Sequence, residues 1–281
     1  MRALPSLVIE PIVRAALLED LGRAGDVTTD SIIAPDAQAT VQLVSREPGV
    51  IAGLPLAELA WRQIDPAITV TVHLPDGSRV EPGSVIATAS GPARGLLTGE
   101  RVALNFLGHL SGVATGTATI ADAIAHTRAS VADTRKTIPG LRALQKYAVR
   151  CGGGANHRFG LDDAVLIKDN HIAVAGGIRP AVEAARANAG HLVKIEVEVD
   201  SLAMLAELLE VGADVVLLDN MGPHLLREAV ALVAGRMITE ASGRITPETA
   251  VPIAEAGVDL ISVGWLTHSA KVLDVGLDHV A

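Results

Sequence analysis

Residues 193–220 read VKIEVEVDSLAMLAELLEVGADVVLLDN, two short apolar runs with a stretch of helical spacing between them. VKIEVEV and VVLLDN have the length of strands, whereas SLAMLAELLEVG is long enough for a helix and stops at Gly212. Strand, crossover helix and second strand make a parallel βαβ unit. The same grammar runs outward in both directions. Upstream lie SVADT (130–134) before a helix around ALQKYAV, and AVLIKDN (164–170) before IRPAVEAARANAG. Downstream, VVLLDN leads into GPHLLREAVALVAG, MITEASG (237–243) leads into TPETAVPIAEAG, and LISVG (260–264) closes the series. Six strands alternating with helices predict an α/β architecture.

The polar residues decide between a barrel and a doubly wound sheet. Thr134-Arg135-Lys136, Lys168-Asp169-Asn170, Glu196 with Glu198, Asp219-Asn220, Ser242-Gly243 and Gly264 each fall on or just after a different strand. A (β/α) barrel builds its site from the C-terminal ends of all its strands, while a doubly wound sheet concentrates it at one switch point. The distribution here predicts a barrel, with its last two loops placed to offer backbone N–H groups to a phosphate.

The first hundred residues follow another pattern. An amphipathic helix over about 8–21 precedes the polar GDVTTD (25–30), and alternating strands follow at TVQLVSREPGVIAG, ITVTVHL and EPGSVIATASGPARGLL. Asp76-Gly77 carries a hairpin-turn signal. The expectation is an antiparallel α+β unit, then a helix from about Leu96 broken at Gly108, Gly112 and Gly116, with the tail from His268 packing back on the N-terminal unit.

Residues 133–172, DTRKTIPGLRALQKYAVRCGGGANHRFGLDDAVLIKDNHI, hold the densest unmatched positive charge. Seven Lys and Arg face four acids there, although the chain as a whole has a formal net charge of −9. Arg142, Lys146 and Arg150, four apart, read as the wet face of a helix. Arg135, Lys136, Arg158 and Lys168 sit instead at the edges of short apolar runs and predict a local anion site. The two arginines offer planar forks for carboxylates, and the two lysines act as mobile point charges. A dicarboxylate or a diphosphate fits such a set. Glu198 and Asp219 face the same rim, either as acceptors from sugar hydroxyls and contacts to a phosphate-bridging magnesium ion or as plain ion-pair partners of Lys168 and Arg135. His157 reads as a donor to an anion, His171 as a cap of the turn that follows, Cys151 as a small apolar helix-end residue, and Gly152–Gly154 as a helix terminator.

Composition excludes several classes of function. With 281 residues, 49% apolar and 20% charged, the chain is a folded globular protein with room for a large core. Aromatic residues make up 2%, which with the negative charge argues against a nucleic-acid partner. One cysteine permits neither an internal disulfide nor a cysteine zinc cluster and fits a reducing, cytoplasmic setting. The N-terminus lacks a cleavage signal, and no apolar run is long enough to span a membrane.

EDLGRAGDVTTD, ERVALNFLGHLSGVAT, the 133–172 stretch, IEVEVD, LLDNM, EASGRI and ISVGWLTHSA together resemble the quinolinate phosphoribosyltransferase family over nearly the full length. The resemblance implies an N-terminal α/β sandwich domain over 1–106, completed by 266–281, and an incomplete (β/α) barrel of about seven strands over 107–265. It implies phosphoribosyl transfer from phosphoribosyl pyrophosphate to quinolinate with loss of CO2, Mg2+ as the accompanying ion, and a homodimer in which Arg101 crosses the interface. It also implies that Arg101, Thr134, Arg135, His157, Arg158 and Lys168 meet quinolinate. Lys136 and Lys168 would hold the pyrophosphate, Glu198 and Asp219 the ribose and magnesium, and Ser242, Gly243 and the backbone of Val263 and Gly264 the 5′-phosphate. Lys136, Glu198 and Asp219 would carry the chemistry. Trp265 and Arg244 depart from the family pattern, which usually has smaller residues there. A relative with another acceptor, or a non-catalytic metabolite-binding barrel, would share most of these cations.

Overall fold

The computed structural model describes residues 4–280. In chain order the elements are α1 (Ser6–Leu21), α2 (Val27–Ile32), β1 (Gln38–Ser45), β2 (Gly49–Val50), α3 (Leu54–Ile64), β3 (Thr69–Val72), β4 (Arg79–Val80), β5 (Val85–Pro92), α4 (Ala93–Ala123), β6 (Ser130–Ala132) and α5 (Arg142–Cys151). There follow β7 (Val165–Ile167), α6 (Asp169–Ala175), α7 (Ile178–Asn188), β8 (Ile195–Val199), α8 (Leu202–Val211), β9 (Val215–Asp219), α9 (Pro223–Val233), β10 (Ile238–Ser242), α10 (Pro247–Ala254), β11 (Leu260–Ser262), α11 (Trp265–His268) and β12 (Val275–His279). The chain divides into two compact units. The first holds everything up to Ala118, Pro139–Gly153 and the chain from Ser269; the second holds Thr119–Ile138 and Gly154–His268.

The first unit is built on an antiparallel sheet of order β12-β1-β5-β3. Its C-terminal strand is paired in register with β1, Leu43 opposite Leu277 and Val41 opposite His279. Ile9, Val13 and Leu17 of α1 share one core with Leu56, Ala60 and Trp61 of α3 and with Leu43 and Ile86 of the sheet.

Three expectations are corrected here. Asp76-Gly77 makes no β-hairpin, because β3 pairs with β5 while β4 pairs with β2. The Asp76 carboxylate instead accepts from the N–H groups of Gly53 (3.0 Å) and Leu54 (3.1 Å) at the start of α3 and from the Tyr147 hydroxyl (2.7 Å). It caps a helix end and ties α5 to it. The helix from about Leu96 is not broken by its glycines: α4 runs unbroken for 31 residues. Gly108 and Gly112 lie where the chain at 271–273 crosses the helix, and a Cβ on Gly112 would collide with the Lys271 carbonyl oxygen. The glycines serve close backbone approach, which helical spacing alone does not reveal. Lastly, Lys146 is not on a wet face; it is 3% exposed, between Gln145 and Ala148 on the buried side of α5.

The second unit carries six parallel strands in the order β6-β11-β10-β9-β8-β7. From β7 to β11 each strand lies beside its successor in the chain, the order of a (β/α) barrel, and β6 joins at the far edge beside β11. Among the described residues β6 and β7 do not pair, so the ring is open there. A single parallel bridge between Ala155 and Ala132 stands at the place of a seventh strand.

Side chains alternate across each strand with a period of two. Val131, Ile167, Val197, Val199, Val216, Leu218, Ala241, Ile261 and Val263 share a core with apolar residues of the surrounding helices, such as Val182, Leu205 and Leu226. Every residue one step away from these points to the other side. Replacing Asp76 by Ala removes a helix cap and strands the Tyr147 hydroxyl, so it should lower stability by about 2–4 kcal/mol, read as a shift in the urea midpoint. An unchanged midpoint would show that these three hydrogen bonds contribute nothing net.

Candidate active site

The side of the strands opposite the apolar core opens into a cavity of about 740 Å³ at their C-terminal ends. Each strand delivers residues of the same parity: Thr134 beyond β6, Leu166 and Lys168 from β7, Glu198 from β8, Leu217 and Asp219 from β9, Glu240 and Ser242 from β10, Ser262 and Gly264 from β11. Arg135, Lys136, His157 and Arg158 complete the wall. A second cavity, of about 300 Å³, lies near the opposite strand ends and includes Arg128, Lys194, Asp214 and Asp259. Four of its charges form Lys194–Asp214 and Arg128–Asp259 pairs, at 3.4 and 3.2 Å, and Arg236 donates to the Val233 and Leu232 carbonyls.

Arg135 and Arg158 are the two half-buried unmatched cations of the large cavity, whereas Lys136 and Arg244 are exposed on it. Neither has a carboxylate within ion-pair distance among the described residues, and the Arg135 Nε is buried without a hydrogen-bond partner. Burial and the neighbouring Arg135 charge both depress the Arg158 pKa. Two guanidiniums held close together with little countercharge favour an anion between them. Arg158 is aimed by its Nη1, which donates to the Ala164 carbonyl at 3.2 Å. Lys136 is exposed, with its backbone N–H on Thr134 Oγ1 (3.0 Å) and its carbonyl accepting from the Thr267 hydroxyl (2.8 Å). Lys168 forms an ion pair with Glu198, one of the two roles the sequence leaves open for that acid. Asp219 has no cation partner among the described residues and accepts from Asn220 Nδ2 at 2.6 Å.

The loop after α5, which carries His157 and Arg158, is anchored from behind by Asp133. Asp133, fully buried, accepts from Asn156 Nδ2 (2.7 Å) and from the His157 backbone N–H (2.9 Å). His157 differs from the expected free donor. Its Nδ1 accepts from the Arg158 N–H at 2.8 Å, and its Nε2 faces Glu196 Oε2 at 3.0 Å and Glu240 Oε1 at 3.6 Å. Both ring nitrogens are therefore occupied by the protein. Burial, followed by the charge of Glu196, pushes the Glu240 carboxyl up to about 7. Sequence reasoning missed Glu240 because MITEASG contains only one acid with no neighbour at a telling spacing. Only the pairing of β10 beside β9 and β8 brings it to Glu196, which itself lies deeper than Glu198 along the same face.

On the opposite wall the backbone is left-handed at Asn220 (φ 54°), Gly243 (φ 112°) and Arg244 (φ 48°). A side chain on Gly243 would collide with the Asn220 amide, so glycine is needed there both for its φ and for this approach. Arg244 is exposed on the cavity rim. Trp265 does not block the loop, since its Nε1 donates to the Ile245 carbonyl (3.0 Å) and the ring packs on the barrel core. Val263 contributes no pocket surface: its side chain is in the core and its N–H donates to the Ala132 carbonyl at 2.9 Å. Gly264 lies in the wall, where a Cβ would come within 2.9 Å of Lys136 Cδ. Arg101 is exposed on α4, in the first unit. His171 accepts from the Lys168 N–H at 2.9 Å and so caps α6, and burial raises the Cys151 thiol to about 12, that of an inert packing residue.

The chain matches the family described as Quinolinate phosphoribosyl transferase, N-terminal domain, over residues 26–111 and its C-terminal domain over residues 113–278. The chain belongs to this family. It is 43% identical to the "Probable nicotinate-nucleotide pyrophosphorylase [carboxylating]" of Bacillus subtilis, over 97% of this chain and 93% of that protein. Identity to the "Nicotinate-nucleotide pyrophosphorylase [carboxylating]" of Mycobacterium leprae is 45%, over 95% of each. Among solved structures, NadC from Streptococcus pyogenes superimposes with a TM-score of 0.95 at 42% identity, covering both chains in full. Quinolinate phosphoribosyltransferase membership thus rests on both units.

Asp133→Ala should release the loop that carries His157 and Arg158. A loss of about 2–3 kcal/mol in unfolding free energy is expected from the two charge-assisted hydrogen bonds removed, together with faster amide exchange at His157. Unaltered exchange would place the anchor elsewhere.

Proposed function

We propose that this chain, a pentosyltransferase of the quinolinate phosphoribosyltransferase family, transfers phosphoribosyl from phosphoribosyl pyrophosphate to quinolinate, releasing pyrophosphate and CO2 and forming nicotinate mononucleotide for NAD biosynthesis. The observation that carries the assignment to this cavity is the pair of guanidiniums, Arg135 and Arg158, that lack carboxylate partners on the wall they share with Lys136 and Lys168. A planar dicarboxylate fits two forks, and charge-assisted pairs of this geometry are the strong ones.

Arg135, Arg158 and Lys168 bind the two carboxylates, with Thr134 at the rim. Lys136 meets the pyrophosphate, and Ser242, Gly243 and Gly264 receive the 5′-phosphate. Glu198 and Asp219 are hard oxygen donors on one rim and suit both ribose hydroxyls and Mg2+. When bound, Mg2+ would neutralise charge on the departing pyrophosphate. The pyridine nitrogen forms the new bond to the anomeric carbon as the bond to pyrophosphate breaks, and Glu198 and Asp219 stabilise positive charge developing on the sugar. The ring nitrogen is then cationic. The carbon–carboxylate bond beside it breaks with its electron pair left on the ring carbon, where that cation stabilises it, and a proton takes the place of CO2. Holding both substrates in register and away from water is the remaining contribution of the wall.

We further infer that the working form is a homodimer in the cytoplasm, with Arg101 lent to the partner's cavity. Exposure of Arg101 on α4 supports its availability, and among the described residues no helix is long and apolar enough to cross a membrane.

Carboxyl-labelled quinolinate, phosphoribosyl pyrophosphate and Mg2+ should yield one labelled CO2 for each pyrophosphate; turnover of nicotinate with no CO2 from quinolinate would overturn the assignment. Arg158→Ala should raise KM for quinolinate about 10- to 100-fold, as expected for one charged hydrogen-bonding group. Arg101→Ala and Lys168→Ala proteins, each inactive, should regain activity when their subunits exchange. Continued inactivity after demonstrated exchange would confine Arg101 to its own subunit.

A further inference from the structure

Below the two guanidiniums lie the half-buried His157 and the buried Glu196 and Glu240, whose ligand atoms are all within 4.8 Å of one another. The Arg158 N–H is donated to His157 Nδ1, so the ring is the neutral tautomer with its hydrogen on Nε2. That hydrogen points at Glu196 Oε2, and Glu240 Oε1 stands further off at 3.6 Å. The set is thus arranged around a hydrogen bond. One oxygen of each glutamate, Glu196 Oε1 and Glu240 Oε1, is buried without a hydrogen-bond partner.

A neutral imidazole cannot compensate two adjacent buried carboxylates, and two ionised groups so placed repel each other in a poorly solvated site. One proton removes the conflict. Geometry favours Glu240 as its holder, since Glu240 is 1% exposed against 6% for Glu196 and is the more distant from the ring donor. The charged and polar groups facing Glu240 are His157 from the loop after α5, Glu196 on β8, Asp133 after β6 and the Ser262 hydroxyl on β11; its neighbour in register on β9 is Leu217. Burial, the largest influence, and the charges of Glu196 and Asp133 favour the protonated form, while the Ser262 hydroxyl opposes it.

We propose that Glu240 is protonated in the quinolinate complex and that, wherever it is ionised in the free enzyme, this proton is taken up from solvent as the dianionic substrate enters. The proposal rests on the substrate assigned above. Glu240 is a positioning residue: as the neutral acid it leaves His157 turned to Glu196 and the Arg158 N–H on Nδ1, and it adds no negative charge under the incoming dianion. The step is a protonation of one carboxylate oxygen, with buffer as the donor. Burial and the charge of Glu196 hold the Glu240 carboxyl up at about 7 in the free protein, so its ionised share grows between pH 6.5 and pH 8. A bound dianion raises its affinity for the proton. By linkage, the affinity for quinolinate then falls as pH rises past neutrality, by up to about tenfold per pH unit.

Quinolinate is titrated calorimetrically into the enzyme at pH 6.5 and pH 8, in two buffers of small and large ionisation enthalpy. At pH 8 the wild type should take up about one proton per site and Glu240→Gln about none, with the pH dependence of affinity flattened in the variant. An infrared difference spectrum of the wild type should show a protonated carboxyl band growing on binding at pH 8, which decides the matter if the variant does not fold. Binding at pH 6.5 with no proton uptake at pH 8 would overturn the proposal alone, as would equal uptake in Glu240→Gln. Absence of binding at pH 6.5 would overturn the substrate assignment and this proposal with it.

Discussion

A parallel strand covered by helices on one face has only its alternate residues available for anything else, and six such strands laid in order make that parity a property of the whole barrel. Val197 and Val199, Val216 and Leu218, Ile261 and Val263 hold the helices. Between and beside them, Glu196 and Glu198, Leu217 and Asp219, Ser262 and Gly264 take the other side. Displacing one strand by a single residue would put carboxylates into the apolar core and valines into the cavity, so hydrophobic burial and site chemistry enforce the same register. This is why chemically costly groups can be kept there without loosening the fold.

Within that frame, depth sorts the charges. Cations from the strand ends and the loop after β6 occupy the cavity wall, with Lys168 paired to Glu198 and the two guanidiniums left without carboxylates. The acids Glu196 and Glu240 lie deeper and are bridged by one imidazole. His157 links the layers, because the ring that contacts the glutamates also receives the backbone N–H of Arg158. Asp133 fixes the same loop from the other side of β6. A short span of chain, 154–158, is thus held at both of its polar faces before any ligand arrives.

Much of this was legible in the sequence. The six strands were visible because each is a short apolar run followed by a helix, and their polar ends pointed to a barrel before any topology was known. Arg135, Lys136, Arg158 and Lys168 stood out as cations bordering apolar runs, and all four line one cavity. What escaped was whatever depended on a distant partner. Glu240 gains its meaning from Glu196, two strands away; Asp76 serves a helix start more than twenty residues earlier in the chain; and Gly108 and Gly112 admit a crossing segment from the far end of the sequence. Lys146 shows the same limit, since its spacing from Arg142 and Arg150 is that of a wet stripe while the helix turns it inward.

Strand β12 follows the whole barrel in the chain yet pairs with β1, near the start. Strand β1 therefore waits at an edge of the N-terminal sheet, its final neighbour missing, while the intervening chain is synthesised and folds. Such an edge is a template for wrong strands, including those of a neighbouring copy. During translation the first unit would remain the vulnerable one, and the arrival of Val275–His279 would cover β1 last and take the edge position itself.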